Sequence, residues 1–116
     1  MDGKSNFCKI NYTFNSCSPF FLPIEYNSLN ENSCLKFALS LKKKGIPLNP
    51  RYKYLVSDWS YIKNFLYDKF VPINAKEYLN NSFNIYLNEN YKEKEASFIV
   101  KKILEVEKEH EKKTLR

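Results

Sequence analysis

Glycine is scarce in this sequence of 116 residues, with Gly3 and Gly45 as its two occurrences. A loop that cradles phosphate needs clustered glycines, because several backbone N–H groups must approach the ligand closely. Two isolated glycines provide no such loop, and this disfavours nucleotide-binding folds. Apolar and aromatic residues are abundant, at 43% and 16% of the chain. Disordered chains contain less of both, so we expect a single domain over residues 1–116 with a packed core.

Metal ligands are also few, with three cysteines and one histidine. A zinc site requires four ligands, usually in closely spaced pairs. The spacing of Cys8, Cys17, Cys34 and His110 matches no such pattern. We therefore expect no metal and no cofactor, and we interpret the cysteines as buried thiols in a reducing compartment.

The sequence also lacks a recognisable set of catalytic residues. His110 lies in a charged stretch, where neighbouring glutamates are expected without any catalytic purpose. Asp58 and Asp68 could be paired carboxylates, but Asp58 is better explained as a helix cap and Asp68 as a solvent-exposed residue. We therefore expect a protein that is not an enzyme and has no small-molecule substrate.

Long hydrophobic runs are absent as well. No stretch approaches the ~20 apolar residues of a membrane span, and residues 1–9 lack the apolar run of a signal peptide. The sequence therefore predicts a cytoplasmic or nuclear protein without a membrane partner.

Positive charge is concentrated in the middle of the sequence. Residues 36–69 carry eight basic and two acidic residues, and this excess equals the net charge of +6 of the whole chain. A local basic patch can contact phosphates, although lysines also suit the negative end of a helix dipole. Both interpretations stay open for the residues that we predict to contact nucleic acid or a partner: Lys42, Lys43, Lys44, Arg51, Lys53 and Lys63.

Hydrophobic periodicity predicts an α+β fold. Apolar and polar residues alternate along 6–14, and 20–26 is a second extended run, so a small N-terminal β element is expected at about 6–26. Helical spacing predicts a bundle of about four α-helices after it, at about 33–44, 58–69, 75–87 and 92–113. The expected organisation is a β element within 6–30, a helical core at 31–91 and a charged C-terminal helix at 92–116.

Aromatic residues are dense in residues 51–70, which hold the only tryptophan. Aromatic side chains among basic ones could stack on bases, but Trp59 and Ile62 follow the spacing of a buried helix face, which favours a core role. The residues that we predict to pack in the core or against a partner are Leu35, Leu39, Trp59, Ile62, Leu66, Phe83, Ile99 and Ile103.

The order of these features resembles the subunits of the GINS complex that place a small β domain before the helical one. The segments that carry the resemblance are "NFCKINYTF", "FFLPIEY", "SCLKFALSLKKKG", "IPLNPRYKYLVSDW" and "FVPINAKEYLNNSFNIYL". The matching positions in the first helix, the extended segment and the next helix are Leu35, Phe37, Ala38, Pro50, Tyr54 and Trp59. The resemblance implies a scaffold of the replicative helicase that contacts other subunits of its own kind and the helicase ring.

Two functions therefore stay open. The first is a non-enzymatic subunit of a multi-protein nucleic-acid machine, with other protein subunits as its partners. The alternative is a small ribosome- or RNA-associated protein that binds rRNA through residues 36–69 and the charged C-terminal helix.

Overall fold

The computed structural model of the protein describes residues 5–10, 20–27, 31–52, 55–65 and 71–114, with the backbone alone at positions 31, 63 and 114. In chain order its elements are β1 (Cys8–Ile10), β2 (Phe21–Tyr26), α1 (Glu31–Lys43), β3 (Leu48–Asn49), α2 (Ile73–Asn80), β4 (Ser82–Tyr86) and α3 (Glu93–Thr114). Two short 3-10 turns, Val56–Asp58 and Lys63–Phe65, lie between β3 and α2.

The four strands form one antiparallel sheet in the order β1-β2-β4-β3. The β4 strand is inserted between β2 and β3, where Ile24 pairs with Phe83 and Leu48 pairs with Ile85. Strands β2 and β3 run in the same direction, because each of them is antiparallel to β4. Two such strands need a long connection, and α1 lies within it. Paired side chains share a face of the sheet, so these residues make that face apolar.

The core lies between this apolar face and the two longer helices. Phe37 of α1 is fully buried, with its ring centroid 4.7 Å from that of Tyr26, 6.0 Å from that of Phe83 and 5.5 Å from that of His110. Phe37 therefore joins β2, β4 and α3. Among the described residues, the other buried apolar side chains are those of Cys8, Ile24, Cys34, Ala38, Leu41, Ile46, Leu48, Ile85, Ile103 and Val106.

The helix predicted at 33–44 is confirmed as α1. Its buried residues follow the spacing of one helix face, and they are Cys34, Phe37, Ala38 and Leu41. The helix ends because Gly45 adopts a left-handed φ of 92°. The N–H of Ile46 then donates to the carbonyl of Leu41, and the N–H of Gly45 donates to that of Lys42. This pair of bonds satisfies the last carbonyls of the helix.

The helix predicted at 92–113 is confirmed as α3. Its buried residues Ile103 and Val106 continue the apolar stripe that includes Ile99. At its start, a carboxylate oxygen of Glu95 accepts a hydrogen bond of 2.8 Å from the backbone N–H of Lys92, which satisfies one free donor of the first turn.

The predicted fold class, a small β element at about 6–26 followed by a bundle of about four helices, is wrong. The described residues contain one four-stranded sheet and three α-helices, and β3 and β4 lie inside the range 31–91 that was expected to be helical. The largest error concerns 75–87, where the structure has the end of α2 and then β4. Asn80 and Asn81 are weak helix formers, and Phe83 and Ile85 then alternate into the core. Pairing with two neighbouring strands outweighs the local helical pattern.

The helix predicted at 58–69 is also wrong within the described residues, and 66–70 lie outside them. Trp59 has an extended backbone (φ −71°, ψ 125°) that ends the first 3-10 turn. Residues 59–65 consist mainly of residue types that favour helices only weakly, namely Trp, Tyr, Ile, Asn and Phe. As a result, Trp59 and Ile62 are half-buried and Phe65 is 84% exposed.

Candidate interaction site

A groove with a volume of about 400 Å³ lies between the sheet and the N-terminal half of α3. We call it the sheet–helix groove. Its walls are mainly aliphatic, and they include Ile10, Leu22, Ile85, Ala96, Ile99 and Val100. Leu87 and Ala96 are exposed at its mouth. A groove of this size and lining is suited to apolar side chains or ligands.

The groove forms because the two halves of α3 are supported differently. From the middle of α3 onward, Ile103 and Val106 are fully buried in the core. In the N-terminal half, Ile99 and Val100 belong to the same stripe but are only partly buried, and the small side chain of Ala96 leaves space above the sheet. Apolar surface at this end of α3 is therefore available to a partner.

Further apolar side chains are exposed around the groove. Phe20 is 90% exposed, and its carbonyl accepts a hydrogen bond from the N–H of Leu87 at the mouth of the groove. Phe98 on α3 is 46% exposed, and its ring centroid lies 5.4 Å from the Nζ of Lys102. Phe98 lines a neighbouring pocket, which shares Ile99 with the groove. Clustered exposed apolar residues are typical of interaction surfaces, so the groove and these residues form the candidate site for a protein partner.

The predicted basic contact residues differ in how exposed they are in the structure. Lys42 and Lys43 are exposed in the last turn of α1, and Arg51 is partly buried after β3. Lys53 lies outside the described residues, as does the side chain of Lys63. Of the predicted patch, the structure therefore places two lysines together on an exposed surface.

Lys44 instead connects α1 to α3. Its Nζ lies 2.8 Å from a carboxylate oxygen of Glu109 and 3.8 Å from one of Glu105. Glu105 is also paired with Lys102 at 3.0 Å. The hydrogen bond with Glu109 raises the pKa of Lys44 and holds the pKa of Glu109 below its ordinary value. Lys44 is thus a structural contact between the helices rather than a member of the exposed basic surface.

The predicted packing residues are placed as follows. Phe83 and Ile103 are fully buried, and Leu35, Trp59, Ile62 and Ile99 are partly buried. Leu39 is 42% exposed on the outward side of α1, and Leu66 lies outside the described residues. The ring of Trp59 lies 5.6 Å from that of Tyr61, which is itself exposed.

A buried carboxylate that was not predicted fixes the N-terminal segment. Glu107 of α3 is 4% exposed, and it accepts hydrogen bonds from the backbone N–H groups of Asn6 (3.3 Å) and Phe7 (3.2 Å) and from the Ser5 hydroxyl. Three donors compensate the loss of water around the charge. The burial of Glu107 could have been predicted from the sequence, because Glu107 follows Ile103 by four positions and therefore lies on the same face of α3.

The described thiols are buried structural groups. Cys8 and Cys34 are free and buried, and burial raises the pKa of Cys34 to about 11 and also raises that of Cys8. Within the described ranges, no group of three or more His, Cys, Asp or Glu side chains is arranged to hold a metal ion. None of the helices in this part of the chain has both the length and the apolar character that a membrane crossing requires.

No protein family, curated protein or solved structure matches this chain. The function therefore has to be inferred from the geometry of its surfaces.

Proposed function

We propose that the protein is a non-enzymatic subunit of a multi-protein assembly that handles nucleic acid, in the cytoplasm or the nucleus. The sheet–helix groove carries this proposal, because it leaves aliphatic residues of the sheet and of α3 open to a partner. The specific assembly suggested by the sequence resemblance is the GINS complex, in which the chain would act as a scaffold of the replicative helicase.

Filling the groove contributes free energy to the binding of a partner, because it removes apolar surface from water. Fully burying one aliphatic side chain contributes roughly 1.5–3 kcal/mol. Ile10, Leu22, Ile99 and Val100 are already partly buried, so each gains only a fraction of that amount. The partner's own aliphatic side chains gain the rest. We therefore propose that a neighbouring subunit inserts aliphatic side chains, from one face of an amphipathic helix or from a strand.

Affinity purification from native cells tests this proposal, with Ala96→Glu as the variant. Ala96 is exposed and lines the groove, so the glutamate introduces a charge there without disturbing the core. Ser97→Glu is the matched control, because Ser97 is the adjacent exposed residue of α3 and does not line the groove. We expect replication proteins to co-purify with the wild type and with Ser97→Glu and to be lost with Ala96→Glu. A stable monomer that co-purifies with no other subunit, or equal recovery with both variants, would contradict the proposal.

A second function, that of a small RNA- or ribosome-associated protein, is favoured by the exposure of Lys42 and Lys43 on α1. In that case ribosomal proteins and rRNA should co-purify in place of replication proteins. Lys42→Gln combined with Lys43→Gln should reduce the recovery of rRNA, and undiminished recovery would contradict this alternative.

A further inference from the structure

The contact between α1 and α3 places a histidine beside the protein surface. The Nε2 of His110 lies 3.4 Å from the hydroxyl oxygen of Ser40, and the imidazole ring meets the ring of Phe37 edge-to-face, with centroids 5.5 Å apart. His110 is partly buried. The imidazole therefore lies in the contact between the two helices, and the residue as a whole is only partly buried.

Two exposed lysines flank this histidine. Lys36 precedes Ser40 by four positions on α1, and Lys113 follows His110 by three positions on α3, so each lies next to the Ser40–His110 contact on its own helix. In the part of the chain that the structure describes, neither lysine forms an ion pair. The carboxylate of Glu109 on α3 interacts electrostatically with His110, and it is bonded to Lys44 at 2.8 Å.

We propose that Lys36, His110 and Lys113 form a site that binds the phosphodiester backbone of a nucleic acid. The site rests on the proposed role in a nucleic-acid assembly, and it identifies the surface that meets the nucleic acid. A phosphate at this position is contacted from both helices. Lys43 is also exposed on α1, seven residues from Lys36, which is about 10 Å along the helix axis. This spacing of charges fits a ligand with repeated phosphates better than a single carboxylate.

The protonation of His110 should be coupled to this binding. Burial and the neighbouring Lys113 and Lys36 hold the pKa of His110 below its ordinary value of 6.5. A bound phosphate opposes the effect of the lysines and raises the pKa, because a nearby anion stabilises the imidazolium. Binding and protonation therefore favour each other. His110 is the only histidine of the chain, so His110→Gln tests directly whether a change in affinity between about pH 7.5 and pH 5.5 arises from an imidazole.

The expected effects follow from counterion release. For a single strand, each phosphate contact changes the logarithm of the binding constant by about 0.7 for every tenfold change in salt. At about 0.1 M salt, the loss of one contact therefore weakens binding roughly fivefold, and the loss of two weakens it roughly 25-fold. Exposed lysines are replaced with little effect on stability.

Fluorescence anisotropy with a labelled oligouridylate of about 16 nucleotides tests the site in the full chain. We expect Lys36→Gln combined with Lys113→Gln to weaken binding roughly 25-fold and to reduce the salt slope by about 1.4. Lys9→Gln combined with Lys94→Gln makes the same change in charge at two exposed positions away from the site, and it should retain nearly the affinity of the wild type. Binding should tighten as the pH falls, and His110→Gln should remove this pH dependence.

Three results would overturn the site: no binding of the oligonucleotide by the wild type, an equal loss in both double variants, or equally effective competition by polyglutamate. Parallel titrations with an oligothymidylate of the same length show whether the site is specific for RNA or binds any phosphodiester chain. Binding of oligouridylate alone assigns the site to RNA, and binding of both oligomers assigns it to the phosphodiester chain. A failure here is distinguishable from a failure of the proposed function, which depends on the recovery of subunits with Ala96→Glu.

Discussion

Replacing Glu107 with glutamine keeps the volume of the side chain but removes the charge that holds the N-terminal segment on α3. The two carboxylate oxygens accept from the N–H groups of Asn6 and Phe7 and from the Ser5 hydroxyl. In Glu107→Gln, an NH₂ group replaces one oxygen and faces a backbone N–H that then lacks an acceptor, which costs about 1–3 kcal/mol. The remaining bonds lose their charge assistance, about 1 kcal/mol more. We expect a total destabilisation of ~2–4 kcal/mol.

Urea unfolding followed by far-UV circular dichroism measures this effect. For a small protein the free energy of unfolding changes by about 1–3 kcal/mol per molar urea, and at about 2 kcal/mol per molar the midpoint should fall by about 1–2 M. Glu111→Gln is the control, since its carboxylate accepts a bond from the Asn6 side chain at an exposed position. That variant should stay within about 0.5 kcal/mol of the wild type. If both variants unfold at the same midpoint, Glu107 does not fix the segment as described.

Three further results are expected. Lowering the pH from about 7.5 to about 5.5 should destabilise the fold, because burial and Lys113 hold the pKa of His110 below 6.5 and the unfolded chain then binds the proton more tightly. Urea titrations should show this loss for the wild type and not for His110→Gln, and a flat wild-type profile would refute it. Gly45→Ala should lower the free energy of unfolding by about 1–2 kcal/mol, because a φ of 92° is unfavourable for a residue with a Cβ. The cost comes from the backbone alone, since the added Cβ meets no atom within 4 Å. An unchanged unfolding midpoint would count against the left-handed turn. Cys8 and Cys34 should be alkylated far more slowly in the native protein than in urea, since both are buried with raised pKa values, and rapid native labelling by mass spectrometry would contradict this.

The helices α1 and α3 could be predicted because each has its own continuous apolar stripe. At α1, the glycine after the lysines also marked the end of the helix. The β4 strand could not be predicted, since its sequence fits both the two-residue period of a strand and the 3.6-residue period of a helix. Phe83 and Ile85 alternate as in a strand, whereas Tyr78 and Leu79 with Phe83 also make a helical stripe. Pairing with β2 and β3 decides between them, and this pairing joins residues that are distant in the sequence.

The candidate site was less predictable than the helices. Ala96, Ile99 and Val100 belong to the same stripe as Ile103, and no local pattern indicates where the sheet stops supporting α3. The basic patch was predicted from charge density, but density does not reveal that Lys44 is paired with glutamates of α3. Such pairings depend on how the helices pack, and helix packing is a property of the tertiary structure.

Hydrogen–deuterium exchange tests most directly whether the sheet–helix groove is the surface that holds the protein in its assembly. Exchange would be compared between the protein alone and the assembly purified from native cells. We expect amides of β2 and of α3 around Ala96–Ile103 to exchange more slowly in the assembly, because a partner side chain then fills the groove. Unchanged exchange in these segments, with protection confined to other surfaces, would contradict the assignment of the groove as the docking surface.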